Sequence, residues 1–201
     1  MTDVPKSIHA DVWVGSLWVR IAAGGVDFGY ALLGKIENVI GGKHYIIRAM
    51  PNTACAFGKG VTAIYAEDQN SVAFKATNKL FTKVGHVLVL QSEDEMHRFT
   101  SIIGSGQAFL FQVLNTYLQE LKKIASTNQD ATKLMFQDFV SSLGDSFSQE
   151  QNFESLINKI KSPGGTTQAG LESLETNNLD KILKDAFQAA EDRSIEISNE
   201  Q

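Results

Sequence analysis

The sequence has a single cysteine, only three prolines and no long hydrophobic run. One cysteine, Cys55, excludes an internal disulfide and a multi-cysteine zinc site, and it fits the reducing cytoplasm, where we expect the protein. No segment approaches the roughly 18 consecutive apolar residues that a bilayer span requires, so no membrane association is predicted. Residues 1–10 contain charged side chains and no apolar stretch, so they are unlike a secretory signal.

Basic residues are also scarce, at 18 against 23 acidic residues, which gives a formal net charge of −5. Nucleic-acid binders need a basic face, and the only adjacent basic pair is Lys122-Lys123, so no nucleic-acid binding is predicted. The four histidines share no metal-ligand spacing, so no metal site is predicted. What is present is an ordinary globular composition with 43% hydrophobic residues, enough to bury a core.

The sequence pattern changes near residue 92. Before it, strand-like runs alternate with helical ones, which predicts a mainly parallel sheet; the predicted strands are 11–21, 44–50, 60–66 and 86–90, and the predicted helices 27–40 and 70–84. After Ser92 only helices are predicted, over 106–125, 129–143, 150–160, 166–175 and 179–195. The polar tail from Ser194 is expected to fray. These patterns predict an α/β lobe over 1–91 and an all-α domain over 92–201.

The predicted helix 106–125 is apolar on nearly every side. Such a helix must be buried on every side, and the rest of the helical domain offers too little structure to cover it. A partner chain is therefore the expected cover.

The segment 161–170 contains two adjacent glycines followed by two threonines, just before a predicted helix. Free amides at the helix start and nearby hydroxyls suit a small carboxylate or phosphate. A plain helix–helix turn with hydroxyl caps explains the same residues, so both interpretations stay open.

Two further glycine segments need separate interpretations. Gly58-Lys59-Gly60 matches part of a dinucleotide-binding pattern, but it opens a strand where that pattern must open a helix, so we reject it as a phosphate loop. Gly104-Ser105-Gly106 opens a helix and predicts either close packing or a ligand-facing helix start. Asn52 and Thr53 follow a predicted strand, at an end where ligands of open α/β sheets bind, although a structural loop is the alternative.

Four segments stand in a fixed order along the chain. They are Ile21-Ala22-Ala23-Gly24; Arg48-Ala49-Met50-Pro51-Asn52-Thr53 leading to Gly58-Lys59-Gly60-Val61-Thr62; Gly104-Ser105-Gly106-Gln107-Ala108-Phe109; and Ser162-Pro163-Gly164-Gly165-Thr166-Thr167. Together they resemble the pyrroline-5-carboxylate reductases, NAD(P)H-dependent enzymes that make proline, over about residues 17–192.

The resemblance implies the remnant of a Rossmann-type domain over 1–91, followed by an all-α dimerisation and substrate-binding domain over 92–201. It implies a homodimer or higher oligomer formed through the helical domain. The residues that would hold the imine substrate or a proline-like ligand are Ser162, Gly164, Gly165, Thr166 and Thr167. Those near the nicotinamide of NADPH or NADH would be Ala22, Ala23, Gly24, Asn52 and Thr53. Ser105 and Gly106 would form a helix start near the site.

The chain also departs from that family. The strand, glycine-rich phosphate loop and helix that begin such enzymes are not in the sequence, so we expect an N-terminal truncation that removes most of the Rossmann domain. Gln107 stands where the family has proline, and Ile103 where it has serine. Two hypotheses follow: a reductase that converts 1-pyrroline-5-carboxylate to L-proline in proline biosynthesis, or a non-catalytic dimerisation module that does not bind the cofactor.

Overall fold

The computed structural model describes residues 9–14, 17–22, 33–40, 45–124 and 129–200. The chain forms two compact units, one of residues 1–107 with 186–201 and the other of residues 108–185. The sequence-based division between residues 91 and 92 separates a part with strands and helices from a part predicted to have helices alone. As a domain boundary it stays a prediction.

The first unit begins with a two-stranded antiparallel sheet. Its strands are β1, His9–Val14, and β2, Leu17–Ala22, with Trp13 opposite Trp18. The prediction of one strand across residues 11–21 is therefore wrong. Gly15 and Ser16, between the two strands, lie outside the described residues.

A second sheet has three strands, β3 (Arg48–Met50), β4 (Gly60–Tyr65) and β5 (Gly85–Val89), in the order β3-β4-β5. The prediction of parallel strands is right for β4 and β5 and wrong for β3, which runs antiparallel to β4. A short loop with a 3₁₀ turn over Thr53–Phe57 joins β3 to β4, and parallel pairing would need a much longer crossover.

Helices α1 (Leu33–Ile40), α2 (Val72–Phe81) and α3 (Glu95–Phe99) belong to the first unit. The predicted helix 27–40 is described only from Leu33. Helix α2 lies within the predicted range 70–84, and it begins at Val72 because the Ser71 hydroxyl accepts a hydrogen bond from the backbone N–H of Phe74 at 3.1 Å.

The core of this unit lies on both faces of the three-stranded sheet. Successive residues of β4 point to opposite faces, so Ala63 joins one apolar cluster and Ile64 the other. The first cluster comprises Ala63, Leu90, Met96 and Phe99, and the second Ile64, Ala66, Phe74 and Phe81. The sheet is thus packed between α2 and α3.

In the part that the structure describes, the second unit consists of helices and the turns between them. The helices are α4 (Gly106–Ile124, whose first two residues belong to the first unit), α5 (Gln129–Gln149), α6 (Phe153–Ile160), α7 (Thr166–Thr176) and the start of α8 (Leu179–Glu200). These confirm the predicted helices, although Ala125 lies outside the described residues. Across the described part of 108–185, no hydrophobic side chain is buried. None of the helices in the described ranges is long and apolar enough to cross a membrane.

The C-terminal half of α8 returns to the first unit. The expectation of a frayed tail from Ser194 is wrong, because the helix continues to Glu200, with Ser194 and Ser198 each only 2% exposed. The polar composition misled the prediction. Phe187, Glu191, Ser194 and Ser198 recur at intervals of four, three and four, which places them on one helix face.

Candidate functional site

The loop after β3 carries two predicted site residues, Asn52 and Thr53. The side-chain oxygen of Asn52 accepts a hydrogen bond from the backbone N–H of Val61 at 3.0 Å, which fixes the loop to the start of β4. The Thr53 hydroxyl donates to Oε1 of Gln107 at 2.8 Å, which connects the loop to the start of α4. The side chains of both predicted residues are therefore fixed by hydrogen bonds, with Asn52 half-buried and Thr53 exposed.

Closely packed glycines lie at the other end of this loop, where it enters β4. Gly60 pairs with Gly85 across β4 and β5, and a Cβ atom on Gly60 would clash with the Cys55 sulfur. Gly85 has a positive φ of 154°, and a Cβ there would clash with the Gly60 backbone. Gly58-Lys59-Gly60 is thus a structural turn into β4, in agreement with its rejection as a phosphate loop.

The predicted helix start at Ser105 and Gly106 is the site of a wide helical turn. Helix α3 continues into a π-helical turn, Thr100–Ser105, and then into α4 at Gly106. The backbone amides near Gly106 consequently lie within a continuous helical segment and not at a free helix N-terminus. Turns of this kind are frequent at functional sites.

The glycines of this turn allow close packing. A Cβ on Gly104 would lie 3.1 Å from Cε of Met50, and one on Gly106 would lie 3.2 Å from Cε1 of Phe187. Both distances are shorter than ordinary carbon contacts, so a larger residue would displace its neighbour. Close packing is therefore the interpretation that the geometry favours for these two glycines.

The predicted substrate loop belongs to the second unit. The backbone N–H of Gly165 donates to the Ser162 carbonyl at 3.0 Å, and Gly164 has φ of 67°. Proline at the second position and a positive φ at the third define a type II turn, which explains Pro163 and Gly164. A Cβ on Gly165 would clash with the Ser162 hydroxyl, so a larger residue here would displace that hydroxyl.

Helix α7 starts directly after this turn. Its N-cap, Gly165, provides no side-chain cap, and the first backbone hydrogen bond at this end runs from Ala169 N to Gly165 O at 3.2 Å. The amides of Thr166, Thr167 and Gln168 therefore point out of the helix, as at any N-terminus, and the turn leaves them accessible. The arrangement offers backbone donors, hydroxyls and the positive end of a helix dipole to an anion.

The remaining predicted residues are less fully described. Ala22 ends β2, whereas Ala23 and Gly24 lie outside the described residues. Asn52, Thr53, Ser105 and Gly106 belong to the first unit, and Ser162 to Thr167 to the second.

A buried ion pair in the first unit is not predicted by the sequence. Arg48, 6% exposed, donates to Glu93 at 2.9 Å, and the same carboxylate oxygen accepts from the backbone N–H of Leu33 at 2.7 Å. The acidic cluster at residues 93–95 looks like a plain helix start in the sequence, and only a fold that brings together residues 45 positions apart reveals the pair.

A second buried contact joins α3 to α8. His97, 5% exposed, lies with Nδ1 2.8 Å from the Ser194 hydroxyl, and Arg98 forms an ion pair with Glu191 at 2.6 Å. Burial, followed by the nearby positive charge of Arg48, lowers the pKa of His97 from its usual value. The folded unit therefore favours the neutral form of His97.

Comparison with known proteins agrees with this architecture. The family described as pyrroline-5-carboxylate reductase dimerisation matches residues 93–197. The pyrroline-5-carboxylate reductase of Pseudomonas aeruginosa is 28% identical over 167 residues, which cover 83% of this chain and 61% of that protein. The Staphylococcus aureus enzyme is 34% identical over 155 residues, which cover 77% of this chain and 57% of that protein.

Solved structures give the same result. The pyrroline carboxylate reductase of Plasmodium falciparum with NADP bound has a TM-score of 0.74 at 25% identity, covering 85% of this chain and 68% of that one. The Coxiella burnetii reductase has a TM-score of 0.72 at 29% identity, covering 84% of this chain and 63% of that one.

These matches confirm the predicted fold class, a small sheet remnant followed by an all-α dimerisation domain. The chain spans about six tenths of the length of the curated relatives described above. Since the dimerisation match alone covers more than half of the sequence, the chain belongs to the pyrroline-5-carboxylate reductase family.

Proposed function

We propose that this chain takes part in reducing 1-pyrroline-5-carboxylate to L-proline with NADPH or NADH. In this proposal, the turn at Ser162 to Gly165 and the start of α7 bind the carboxylate and ring of the substrate. Asn52 and Thr53, with Ala22, Ala23 and Gly24, lie near the nicotinamide. The cytoplasmic location stays a prediction.

The observation that carries the proposal is the uncapped N-terminus of α7. No side chain occupies the N-cap position, and Gly164 and Gly165 leave the backbone open to a ligand. The Gln168 side chain folds back, accepting from Gly164 N at 3.0 Å and donating to Glu172 at 2.7 Å, which holds the turn in place. A carboxylate fits this set of donors, because backbone amides and a helix dipole stabilise negative charge.

The nicotinamide end of the cofactor fits the loop after β3 by the chemistry of its side chains. Asn52 carries a carbamoyl group and Thr53 a hydroxyl, and both are anchored by hydrogen bonds within the first unit. Across the described residues, no glycine-rich turn joins a strand to a helix in the way that cradles a pyrophosphate.

The proposed reaction depends little on acidic or basic side chains of the protein. When bound, the reduced cofactor supplies a hydride to the carbon of the C=N bond, and the nitrogen gains a proton to complete the amine. The residues of this chain would act by binding and orientation, because holding two reactants in alignment is itself a large part of such a rate enhancement.

We also propose that the second unit is completed by another copy of this chain. Its helices expose large apolar side chains, including Leu110 at 64%, Leu134 at 63% and Phe153 at 66%. Apolar patches of this extent are rare on monomers. A homodimer through the helical domain would cover them.

The second candidate is a dimerisation module without catalysis. It is favoured by the small size of the second sheet, in which the described residues form only the strands β3, β4 and β5. This candidate predicts dimers that bind neither NADPH nor NADH.

The deciding experiment is a calorimetric titration of the purified dimer with NADPH and with NADH, followed by an absorbance assay with 1-pyrroline-5-carboxylate. Saturable binding and substrate-dependent oxidation support the reductase. A folded dimer that binds no cofactor supports the module.

A pair of glycine variants tests the substrate loop by L-proline binding. Gly165→Ala should abolish binding, because its Cβ clashes with Ser162. Gly170→Ala is the matched control, since a Cβ there meets no atom within 4 Å. Equal L-proline affinity in the two variants would remove the loop from the site.

A further inference from the structure

The start of α4 holds one polar side chain that the proposed function does not use, Gln107. It lies one residue after Gly106, whose packing against Phe187 fixes the helix backbone, and three after Gly104, which packs against Met50. The helix backbone beside Gln107 is thus closely packed, and the hydrogen bond from Thr53 links the Gln107 side chain to the loop between β3 and β4.

The Thr53 hydroxyl sets the direction of the Gln107 amide. Because that hydroxyl donates to Oε1 at 2.8 Å, the Nε2 group with its two N–H donors is turned away from Thr53. Asn52, the neighbouring residue, is fixed through Val61 in the same loop. The result is a pair of amide donors next to the residues assigned to the nicotinamide, oriented by the hydrogen bond from Thr53.

From this geometry we propose that Gln107 binds the carboxamide of the nicotinamide, donating from Nε2 to the carboxamide oxygen. This assignment rests on the proposed function, since it requires that the cofactor bind beside Thr53. A side-chain amide suits this ligand because it is uncharged and offers both a donor and an acceptor, as the carboxamide does. The family resemblance gives proline here, which has no such group, so the contact belongs to this chain.

The Thr53–Gln107 hydrogen bond adds little to folding. The bond is exposed to solvent, where water replaces a lost partner at small cost. A variant that loses the bond should therefore fold normally. Any change in cofactor binding then reports on the ligand and not on the stability of the unit.

The test compares three variants with the wild-type dimer, using the calorimetric Kd for NADPH and the KM values for NADPH and 1-pyrroline-5-carboxylate. Gln107→Met keeps the size and loses every hydrogen bond. Gln107→Glu keeps an acceptor for Thr53 and loses the donors. Thr53→Val removes the group that orients the amide. Gln119→Met is the matched control, because Gln119 also makes an exposed side-chain amide bond on α4, to Asn115 at 3.2 Å.

We expect Gln107→Met and Gln107→Glu to raise the Kd and KM for NADPH about tenfold, as the loss of one hydrogen bond to a ligand does. Thr53→Val should give a smaller rise, and Gln119→Met none. The KM for 1-pyrroline-5-carboxylate and the thermal midpoint should stay unchanged in all four.

Each contrary result has a distinct meaning. Wild-type affinity for NADPH in both Gln107 variants overturns this assignment and leaves the proposed function intact. A rise confined to the KM for 1-pyrroline-5-carboxylate, larger for Gln107→Glu than for Gln107→Met, also overturns it, because Gln107 would then face the substrate carboxylate. A wild-type dimer that binds no NADPH overturns the proposed function and this assignment together.

Discussion

The two units place their apolar side chains in opposite ways. In the first unit, Ile64 and Phe74 are 0% and 4% exposed, packed on a sheet that lies between two helices. In the second, Leu110 and Phe111 are 64% and 59% exposed although they lie on a regular 19-residue helix. The first unit supplies its own core, whereas the second has well-formed helices and no core of its own in the described residues. Regular helices and a buried core are thus separable properties, which is why we propose that the second unit buries its apolar side chains by association.

The largest expected effect comes from a charge at Leu114, a half-buried apolar position between the exposed apolar side chains of α4. Leu114→Asp should weaken self-association by roughly 1000-fold or more, because it would bury an unpaired carboxylate at the interface. Analytical ultracentrifugation measures the change, with Asn115→Asp as the control that adds the same charge at a polar position. An intact Leu114→Asp dimer would contradict the proposal that association buries the apolar side chains of the second unit.

The next effect is in the core of the first unit. Phe74→Ala should lower the free energy of unfolding by about 3–4 kcal/mol, because it removes a ring packed between α2 and the sheet. Urea denaturation followed by circular dichroism measures it. Val72→Ala, on the same helix but 82% exposed, should cost far less. Equal losses in the two variants would mean that the first unit has no specific core.

The third prediction concerns the anion site of the second unit. Thr167→Ala should lower kcat/KM for 1-pyrroline-5-carboxylate about tenfold, as the loss of one substrate hydrogen bond would, while dimerisation stays unchanged. The control is Thr176→Ala at the other end of α7, whose hydroxyl donates only to the Glu172 carbonyl at 2.8 Å. Unchanged kinetics would remove Thr167 from the site.

The smallest effect is a pH dependence confined to the first unit. Since the pKa of His97 is lowered in the folded state, the unfolded chain binds a proton more readily, and stability should decline as pH falls below about 6.5. Urea denaturation between pH 5 and 7.5 measures the slope. His97→Gln should flatten it and His86→Gln, at an exposed position, should not. A slope that persists in His97→Gln would assign the effect to another group.

Local patterns predicted most elements, and long-range contacts explain the failures. Strand β4 and helices α2 and α4 follow from periodicity because each is specified by residues near in sequence. The direction of β3 depends on the loop to β4, and the burial of Ser194 depends on His97, 97 positions away. No local pattern carries such information.

The candidate site shows the same limit. The turn at Ser162 to Gly165 is predictable, because proline and glycine at fixed offsets specify it. The Thr53–Gln107 contact joins residues 54 positions apart, and a glutamine in a helix gives no sign of it. Residue roles inferred by resemblance at Ser162 to Thr167, Asn52 and Thr53 stay predictions.

The π-helical turn at Thr100–Ser105 determines in which direction the first residues of α4 point. A π-type turn takes in an additional residue without advancing the helix by the usual step. If these six residues wound as a regular α-helix, the following backbone would rotate by roughly 100° and advance by about 1.5 Å. Gly106 would turn away from Phe187, and Gln107 would turn away from Thr53. The π-helical turn therefore determines the rotation of the first residues of α4 about the helix axis. This rotation is what turns Gly106 toward Phe187 and Gln107 toward Thr53.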